Sequence, residues 1–287
     1  MKKFFSNFGI FNIFKSDKRI LLFLFEEGII TLDKTIYYII TSFPYQKRDF
    51  PLYFSPEIKA FKNDENRKMD ENEFKIFEEK RKIGENDKLI YTLIRKDSID
   101  DFIIYINKTN FSVTSQIKES KFETNSYLMK NNEISLIEYA AFFGAIQIFN
   151  YLRLNNVELK PSLWSFAVHG NNPELIHILE ENHIEMPKNV YEESIKCHHI
   201  DIMNYLKNCF FENEAKNDFN LFVTNLKNYN FVELTTNLMN NEKNFAFFYY
   251  CCKYDYFEIV EHLLSHVNIN EKMKIAKKNI SNLRLLL

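Results

Sequence analysis

One short cluster in the sequence combines residue types that could bind a metal ion. Cys197, His198 and His199 are consecutive, and Cys209 follows twelve residues later. Zinc sites usually join a closely spaced ligand pair to a second pair farther along the chain, and no second pair exists here. We therefore expect no metal site and no cofactor. The four cysteines also lack the spacing of a disulfide framework, which favours a reducing compartment and a cytoplasmic location.

Residues that could catalyse a reaction do not form a recognisable motif. His169, His177 and His183 are not accompanied by a nucleophile at a familiar spacing. Glu180–Glu181 and Glu192–Glu193 are adjacent pairs, and neighbouring residues on a helix point to different faces instead of converging. A chain with five glycines has no Gly-rich phosphate loop. We expect a protein that is not an enzyme.

Composition narrows both the fold class and the kinds of partner. The 287 residues carry a formal net charge of −2, which argues against a global basic field for nucleic acid. The basic runs at 80–82 and 272–278 are interpreted as solvated helix faces instead of a nucleic-acid contact or a nuclear address. Five glycines and six prolines are few for the tight turns of sandwiches, barrels and nucleotide-binding folds. The composition favours an all-α protein.

A pattern with a period of 27 residues organises the segment 135–206. It places aliphatic residues one turn apart on a helix face, small residues where a first helix packs on its neighbour, and turn formers between two helices. The aliphatic positions are Ile148, Leu152, Leu175, Leu179, Ile202 and Leu206, the small positions are Ala140, Ala167 and Ser194, and the turn positions are Gly144, Asn171 and His198. Each unit is predicted to be a helix, a tight turn and a second helix, stacked on the next unit.

Less regular copies of the pattern occur on both sides of this block. In these outer units the turn position falls on Ser16, Ser98, Asn230 and Asp255. Near the N-terminus the sequence predicts one helix at 18–27 that Gly28 ends, and a second at 33–42 that opens on Asp33 as its N-cap.

A charged segment at 55–87 is predicted to divide the chain. Of its 33 residues 18 are charged, with mixed signs, which is typical of a solvated helix or a mobile linker. We therefore predict an N-terminal helical cap at 1–54, a charged connector at 55–87 and a repeat domain at 88–287. The clearest repeats are 135–161, 162–188 and 189–210.

The repeat resembles an ankyrin repeat. Residues 140–152 read Ala-Ala-Phe-Phe-Gly-Ala-Ile-Gln-Ile-Phe-Asn-Tyr-Leu, which is similar to that family's Ala-Ala-x-x-Gly-His-x-x-Ile-Val-x-x-Leu-Leu core. Ser135, Leu136 and Glu138 stand where the family prefers Thr, Pro and His, and the period is shorter than about 33 residues. The order of the parts also resembles divergent protist ankyrin-repeat proteins that carry a domain of unknown function. The resemblance implies an ankyrin-type α-solenoid with shortened hairpin fingers and no catalysis.

The resemblance also implies where a partner would bind. In ankyrin stacks the outward positions of the first helices line a concave groove, and that groove binds another protein. Carried onto this sequence, the groove positions are Tyr139, Phe142, Phe143, Phe166, His169, Glu193 and Lys196. We expect a non-catalytic interaction module or scaffold whose partner is a protein, and the oligomeric state is left open. The alternative is that Tyr139, Phe142 or Phe143 packs internally against 107–134.

The N-terminal segment carries a second hypothesis, a membrane-peripheral or structural role. Its phenylalanines at 4, 5, 8, 11 and 14 lie near the basic residues Lys2, Lys3, Lys15, Lys18 and Arg19, which is typical of a helix on a lipid surface. Its longest apolar run, 20–25, is far shorter than the roughly 20 residues that span a bilayer, and it lacks the cleavage site of a signal peptide. The simpler interpretation is that this segment caps the stack. We therefore expect no membrane partner and no nucleic-acid partner.

Overall fold

A computed structural model describes residues 5–42, 49–62, 70–131, 133–210, 219–230 and 245–265. The first helices are α1 (Asn7–Phe14), α2 (Lys18–Glu26), α3 (Lys34–Thr41), α4 (Phe50–Tyr53), α5 (Ser55–Lys62) and α6 (Glu71–Ile83). They are followed by α7 (Leu89–Arg95), α8 (Ile99–Thr109), α9 (Ser126–Lys130), α10 (Leu136–Phe142), α11 (Ile146–Leu154) and α12 (Leu163–Gly170). The last are α13 (Pro173–Glu181), α14 (Val190–Cys197), α15 (Ile200–Phe210), α16 (Phe219–Lys227), α17 (Phe245–Lys253) and α18 (Phe257–Ser265).

The all-α prediction is confirmed. Within the described ranges the regular elements are these helices, and the β-structure is one isolated antiparallel bridge between Gln116 and Ser135. None of the described helices is long and apolar enough to cross a membrane. The chain forms two compact units, Met1–Glu158 and Leu159–Leu287, and each is described separately below.

The N-terminal helices of the first unit form as their sequences predict. Asp33 is the N-cap of α3, where its carboxylate accepts a hydrogen bond from the Ile36 N–H. Gly28 has a φ of 57° just after α2, a left-handed conformation that a glycine adopts at little cost. A core built around Ile10, Phe11 and Leu21 holds α1, α2 and α3 together.

Lys18 fastens this N-terminal core to a later part of the same unit. Its side chain is only 1% exposed, and its ammonium donates to the carbonyls of Lys121 and Glu123 at 3.2 and 3.0 Å. The same ammonium lies 5.4 Å from the ring centroids of both Phe50 and Tyr53, within the range of cation–π attraction. A buried charge is tolerated only with such partners, so Lys18 acts here as a core residue.

The charged segment also contributes to the core of the first unit. Helices α5 and α6 lie in it, and Phe77 and Arg81 of α6 are 4% and 3% exposed. Arg81 Nη1 binds both carboxylate oxygens of Glu57 at 2.9 and 2.8 Å, and Nη2 binds Glu78 at 2.7 Å. The division between compact units lies at Glu158 and Leu159, whereas the sequence placed a boundary at 55–87. Charge counting could not detect that one arginine of the segment is buried by its partners.

The repeat columns are buried as the period predicts. All six aliphatic positions from Ile148 to Leu206 are buried, and so are Ala140, Ala167 and Ser194. In the first unit α7 contacts α10 and α8 contacts α11, whereas in the second α12 contacts α14 and α14 contacts α16. Successive helix pairs therefore lie side by side within each unit.

The predicted turn positions are correct in the central repeats and are shifted by one residue in two of the outer repeats. Gly144, Asn171, His198 and Asp255 all have φ between 48° and 66°. In these two outer repeats the left-handed residues are Asp97 and Tyr229, which come one residue before the predicted Ser98 and Asn230. Ser98 is instead the N-cap of α8, and Asn230 is buried, where its amide donates to the Ile195 carbonyl. Ser16 lies in the turn after α1 as predicted, but it has no positive φ, and Lys15, the C-cap of α1, is right-handed.

Asp97 gives a direct test of how the helix pairs are joined. Its carboxylate accepts hydrogen bonds from the N–H groups of Gln147 and Ile148 at 3.0 and 2.9 Å, at the start of α11. We expect Asp97→Ala to cost about 1–2 kcal/mol, because it removes this cap and puts alanine at a positive φ. Asp97→Asn keeps an acceptor and tolerates that conformation, so it is expected to cost less. Urea unfolding followed by circular dichroism measures both, and equal costs would contradict the capping role.

Candidate functional site

Three aromatic residues that the sequence placed in a binding groove are core residues. Tyr139, Phe142 and Phe166 are 1%, 8% and 4% exposed. The Tyr139 hydroxyl accepts a hydrogen bond from Arg95 Nη1 at 2.7 Å, and its ring lies 5.6 Å from that of Tyr91. Burial raises the pKa of Tyr139, and the nearby Arg95 charge opposes this shift. These contacts leave no face of Tyr139 for a partner.

Phe142 also packs internally, as the alternative hypothesis predicted. Its ring stacks on Tyr127 of α9, with centroids 5.8 Å apart and planes 15° apart. Phe143 is half-buried and contacts both Tyr139 and Phe142. The reason is that α9, which lies in the insertion 107–134, covers the end of α10 where an open groove was expected. Sequence periodicity does not report what an insertion covers.

The three polar candidates, by contrast, form one network in the second unit. His169 Nε2–H donates to Glu193 Oε1 at 3.1 Å, and the Lys196 ammonium donates to Glu193 Oε2 at 3.0 Å. A fourth residue joins them, since the Cys197 thiol lies 3.4 Å from His169 Nδ1 and donates to it. We call His169, Glu193, Lys196 and Cys197 the polar cluster.

Two neighbouring helices position the polar cluster. Glu193 and Cys197 are four residues apart on α14, so their side chains lie one above the other on the same face. His169 lies near the end of α12, which packs directly beside α14. Ala167 and Ser194, the small residues of the repeat, are fully buried between these helices and permit their close approach. The repeat thus fixes the backbone positions from which the cluster side chains project.

The electrostatics of the polar cluster argue against a nucleophilic cysteine. Burial raises the pKa of Cys197 to about 12, and the negative charge of Glu193 adds to this effect. Cys197 is also the last residue of α14, where the helix dipole disfavours a thiolate. Hydrogen bonding to His169 holds the pKa of Glu193 below its ordinary value against the opposing effect of burial, with Lys196 assisting. Cys197, His169 and Glu193 are thus connected like a Cys–His–Glu triad, but the thiol lacks the activation that such catalysis requires.

The residues that the sequence suggested as metal ligands, Cys197, His198, His199 and Cys209, do not form one cluster in the structure. His198 occupies the left-handed turn, and Cys209 is exposed on α15. Burial lowers the pKa of His199, whose ring hydrogen-bonds to the His169 backbone. In the described part of the chain, the group of potential metal ligands that does assemble is His169, Glu193 and Cys197, with one donor atom from each within 4.8 Å of the others.

A combined pattern could have found this group. One period after His169 comes Lys196, so residues flanking Lys196 on the next first helix must lie near His169. Glu193 and Cys197 flank Lys196 and share a helix face. Neither pattern is enough alone. The 27-residue period does not say in which direction the side chains point, and the four-residue spacing does not say which helix packs beside them.

Comparisons of the chain with protein-family models, with curated proteins and with solved structures give no match.

Proposed function

We propose that this chain is a non-catalytic protein–protein interaction module or scaffold, built as a solenoid of ankyrin type. The observation that carries the proposal is the side-by-side packing of the first helices of successive repeats, α12 with α14 and α14 with α16. This packing presents a similar surface in each repeat. Arrays of stacked helix pairs use such repeated surfaces to bind extended partners. The four cysteines are free, which supports the cytoplasmic location that we propose with it.

The binding surface that we propose is polar, because three of the four aromatic candidates, Tyr139, Phe142 and Phe166, lie in the core. Lys196 has a side chain that is 42% exposed, and the His169 side chain beside it is 19% exposed. Glu193 lies beneath them and holds both side chains in place, because each of its two oxygens accepts a hydrogen bond from one of them. A partner with an acidic group would be recognised by Lys196.

Lys196→Ala is expected to weaken capture of the partner with little effect on folding. The matched control is Lys188→Ala, which removes the same charge from an exposed position in the loop before α14. Each full-length variant is immobilised, and the proteins bound from a lysate of the native cells are quantified by mass spectrometry. The proposal predicts at least one protein that binds the wild type and Lys188→Ala but is depleted several-fold on Lys196→Ala. Identical sets of bound proteins on all three would contradict the proposed surface.

A specific observation favours a second candidate function, docking of the N-terminal helices on a lipid surface. Large apolar side chains are exposed at Phe5, Phe8, Ile13, Ile20 and Phe23, four of them on α1 and α2. Single exposed apolar residues are ordinary, but five within a short segment form a candidate membrane contact. The same helices bury Phe11 and Lys18 in the core, so only part of the predicted Phe and Lys set is available to lipid.

This second function is tested by point variants, because deletion of 1–19 would remove the core residues Ile10, Phe11 and Lys18. Co-flotation with vesicles of anionic lipid is expected to fall for Phe8→Ser combined with Phe23→Ser. Ile104→Ser, at a residue with 48% exposure on α8, is the matched control and is expected to leave flotation unchanged. Equal flotation of all three proteins, or none by the wild type, would remove the lipid hypothesis.

A further inference from the structure

We propose that His169, Glu193 and Cys197 form a binding site for a divalent transition metal ion, with zinc as the best-matched ion. This inference concerns residues of the surface proposed above, but it does not rest on the interaction function. It also revises the expectation from the sequence, which found no second ligand pair along the chain. Glu193 and Cys197 lie on α14, and the third ligand, His169, comes from the neighbouring helix α12.

The donor types select the class of metal. A thiolate, an imidazole nitrogen and a carboxylate oxygen are the three ligand types of protein zinc sites. Magnesium and calcium prefer oxygen donors throughout, so a site with sulfur and nitrogen disfavours them. Two negative ligands, the carboxylate of Glu193 and the thiolate of Cys197, would balance the charge of a divalent ion. The thiol proton is released to solvent when the metal binds.

The distances are close to those of a tetrahedral site. Bond lengths of about 2.3 Å to sulfur and about 2.0 Å to nitrogen place these two donors about 3.5 Å apart in a tetrahedron. Cys197 Sγ and His169 Nδ1 are 3.4 Å apart. One donor atom from each of the three residues lies within 4.8 Å of the other two, which is wider than one tetrahedral edge. We expect side-chain rotation of Glu193 to close this difference.

His169 links the three ligands before the metal arrives. Its two ring nitrogens contact Cys197 and Glu193 respectively, so hydrogen bonds already hold the three side chains together. The ion takes the place of the Cys197–His169 hydrogen bond and binds at Nδ1, and Glu193 turns towards it from Nε2. Lys196 binds Glu193 Oε2 and thereby directs Oε1 towards His169. Hydrogen bonds to metal ligands of this kind orient them and strengthen binding. The side chains of His169 and Glu193 are 19% and 11% exposed, so part of each is reachable from solvent. We expect water to be the fourth ligand.

A cobalt titration of the full chain tests the proposal. Co²⁺ substitutes for zinc in tetrahedral sites and gives an absorption band when a thiolate binds it. We expect one Co²⁺ per chain, a thiolate band in the wild type, and competition by Zn²⁺. Cys197→Ser is expected to abolish the band, and His169→Gln and Glu193→Gln are expected to weaken binding by at least about tenfold. Cys209→Ser and His177→Gln change exposed residues outside the cluster, and both are expected to keep the band.

A second measurement uses the wild type alone, so that a folding defect in a variant cannot decide the outcome. Alkylation of each cysteine is followed by peptide mass spectrometry with and without Zn²⁺. The ion is expected to slow alkylation of Cys197 several-fold and to leave Cys209 unchanged. The proposal fails if the wild type gives no thiolate band, if the band persists in Cys197→Ser, or if Zn²⁺ protects neither cysteine or both equally.

Discussion

Replacing Arg81 with methionine is expected to destabilise the first unit by about 3–5 kcal/mol, because it leaves partners of a buried cation without their counter-charge. Arg81 binds Glu57 through two hydrogen bonds and Glu78 through a third contact. Its guanidinium also lies 5.9 Å from the ring centroid of Tyr53 and 5.7 Å from that of Phe77. Urea unfolding followed by circular dichroism gives the change in the free energy of unfolding.

The expected pH dependence separates this effect from a general packing defect. Burial already raises the pKa of Glu57, and the charge of Arg81 opposes that shift. Without Arg81 the pKa of Glu57 rises further in the folded state than in the unfolded state. The folded state then binds the proton more tightly, so the defect of Arg81→Met is expected to shrink as the pH falls through the raised pKa.

The matched control for Arg81→Met is Lys82→Met, which makes a similar change at an exposed position on the same helix. It is expected to change the free energy of unfolding by less than about 0.5 kcal/mol. Adding Glu57→Gln and Glu78→Gln to Arg81→Met is expected to recover part of the loss, because neutral groups are less costly to bury. An Arg81→Met protein as stable as the Lys82→Met protein would contradict the structural role of this ion pair.

Phe142→Ala is expected to cost about 3–4 kcal/mol of the free energy of unfolding and to leave a partner-binding surface intact in the molecules that remain folded. The ring is 8% exposed and stacks on Tyr127 while meeting Phe143 edge-on. Removing it leaves a cavity between α9 and α10. Peptide-resolved hydrogen exchange measures the effect and is expected to show faster exchange across both helices.

Phe74→Ala is the control for Phe142→Ala, since it removes the same side chain from a position that is 42% exposed on α6. We expect its stability to remain close to that of the wild type. If Phe142→Ala instead kept full stability and lost the captured partner, Phe142 would belong to the binding surface and the internal packing described above would be wrong.

The features that the sequence alone determined are those with local causes. The 27-residue period and the aliphatic positions predicted helix pairs, and those positions are buried. Asp33 and Gly28 predicted a helix start and a helix end because capping depends on a few neighbouring backbone groups. The turns at Gly144, Asn171 and His198 were predictable for the same reason, since a left-handed residue is selected by its own backbone.

The remaining features were decided by tertiary structure, because each depends on what another segment covers. Lys18 and Arg81 are of types usually found on the surface, yet carbonyls, carboxylates and rings from other segments of the chain surround them. Phe142 has the register of a groove residue, yet α9 covers it. The polar cluster needs α12 beside α14, because residues more than twenty positions apart converge only when the two helices pack together. Packing between segments therefore decided both which candidates are exposed and which side chains lie close enough to share a metal ion.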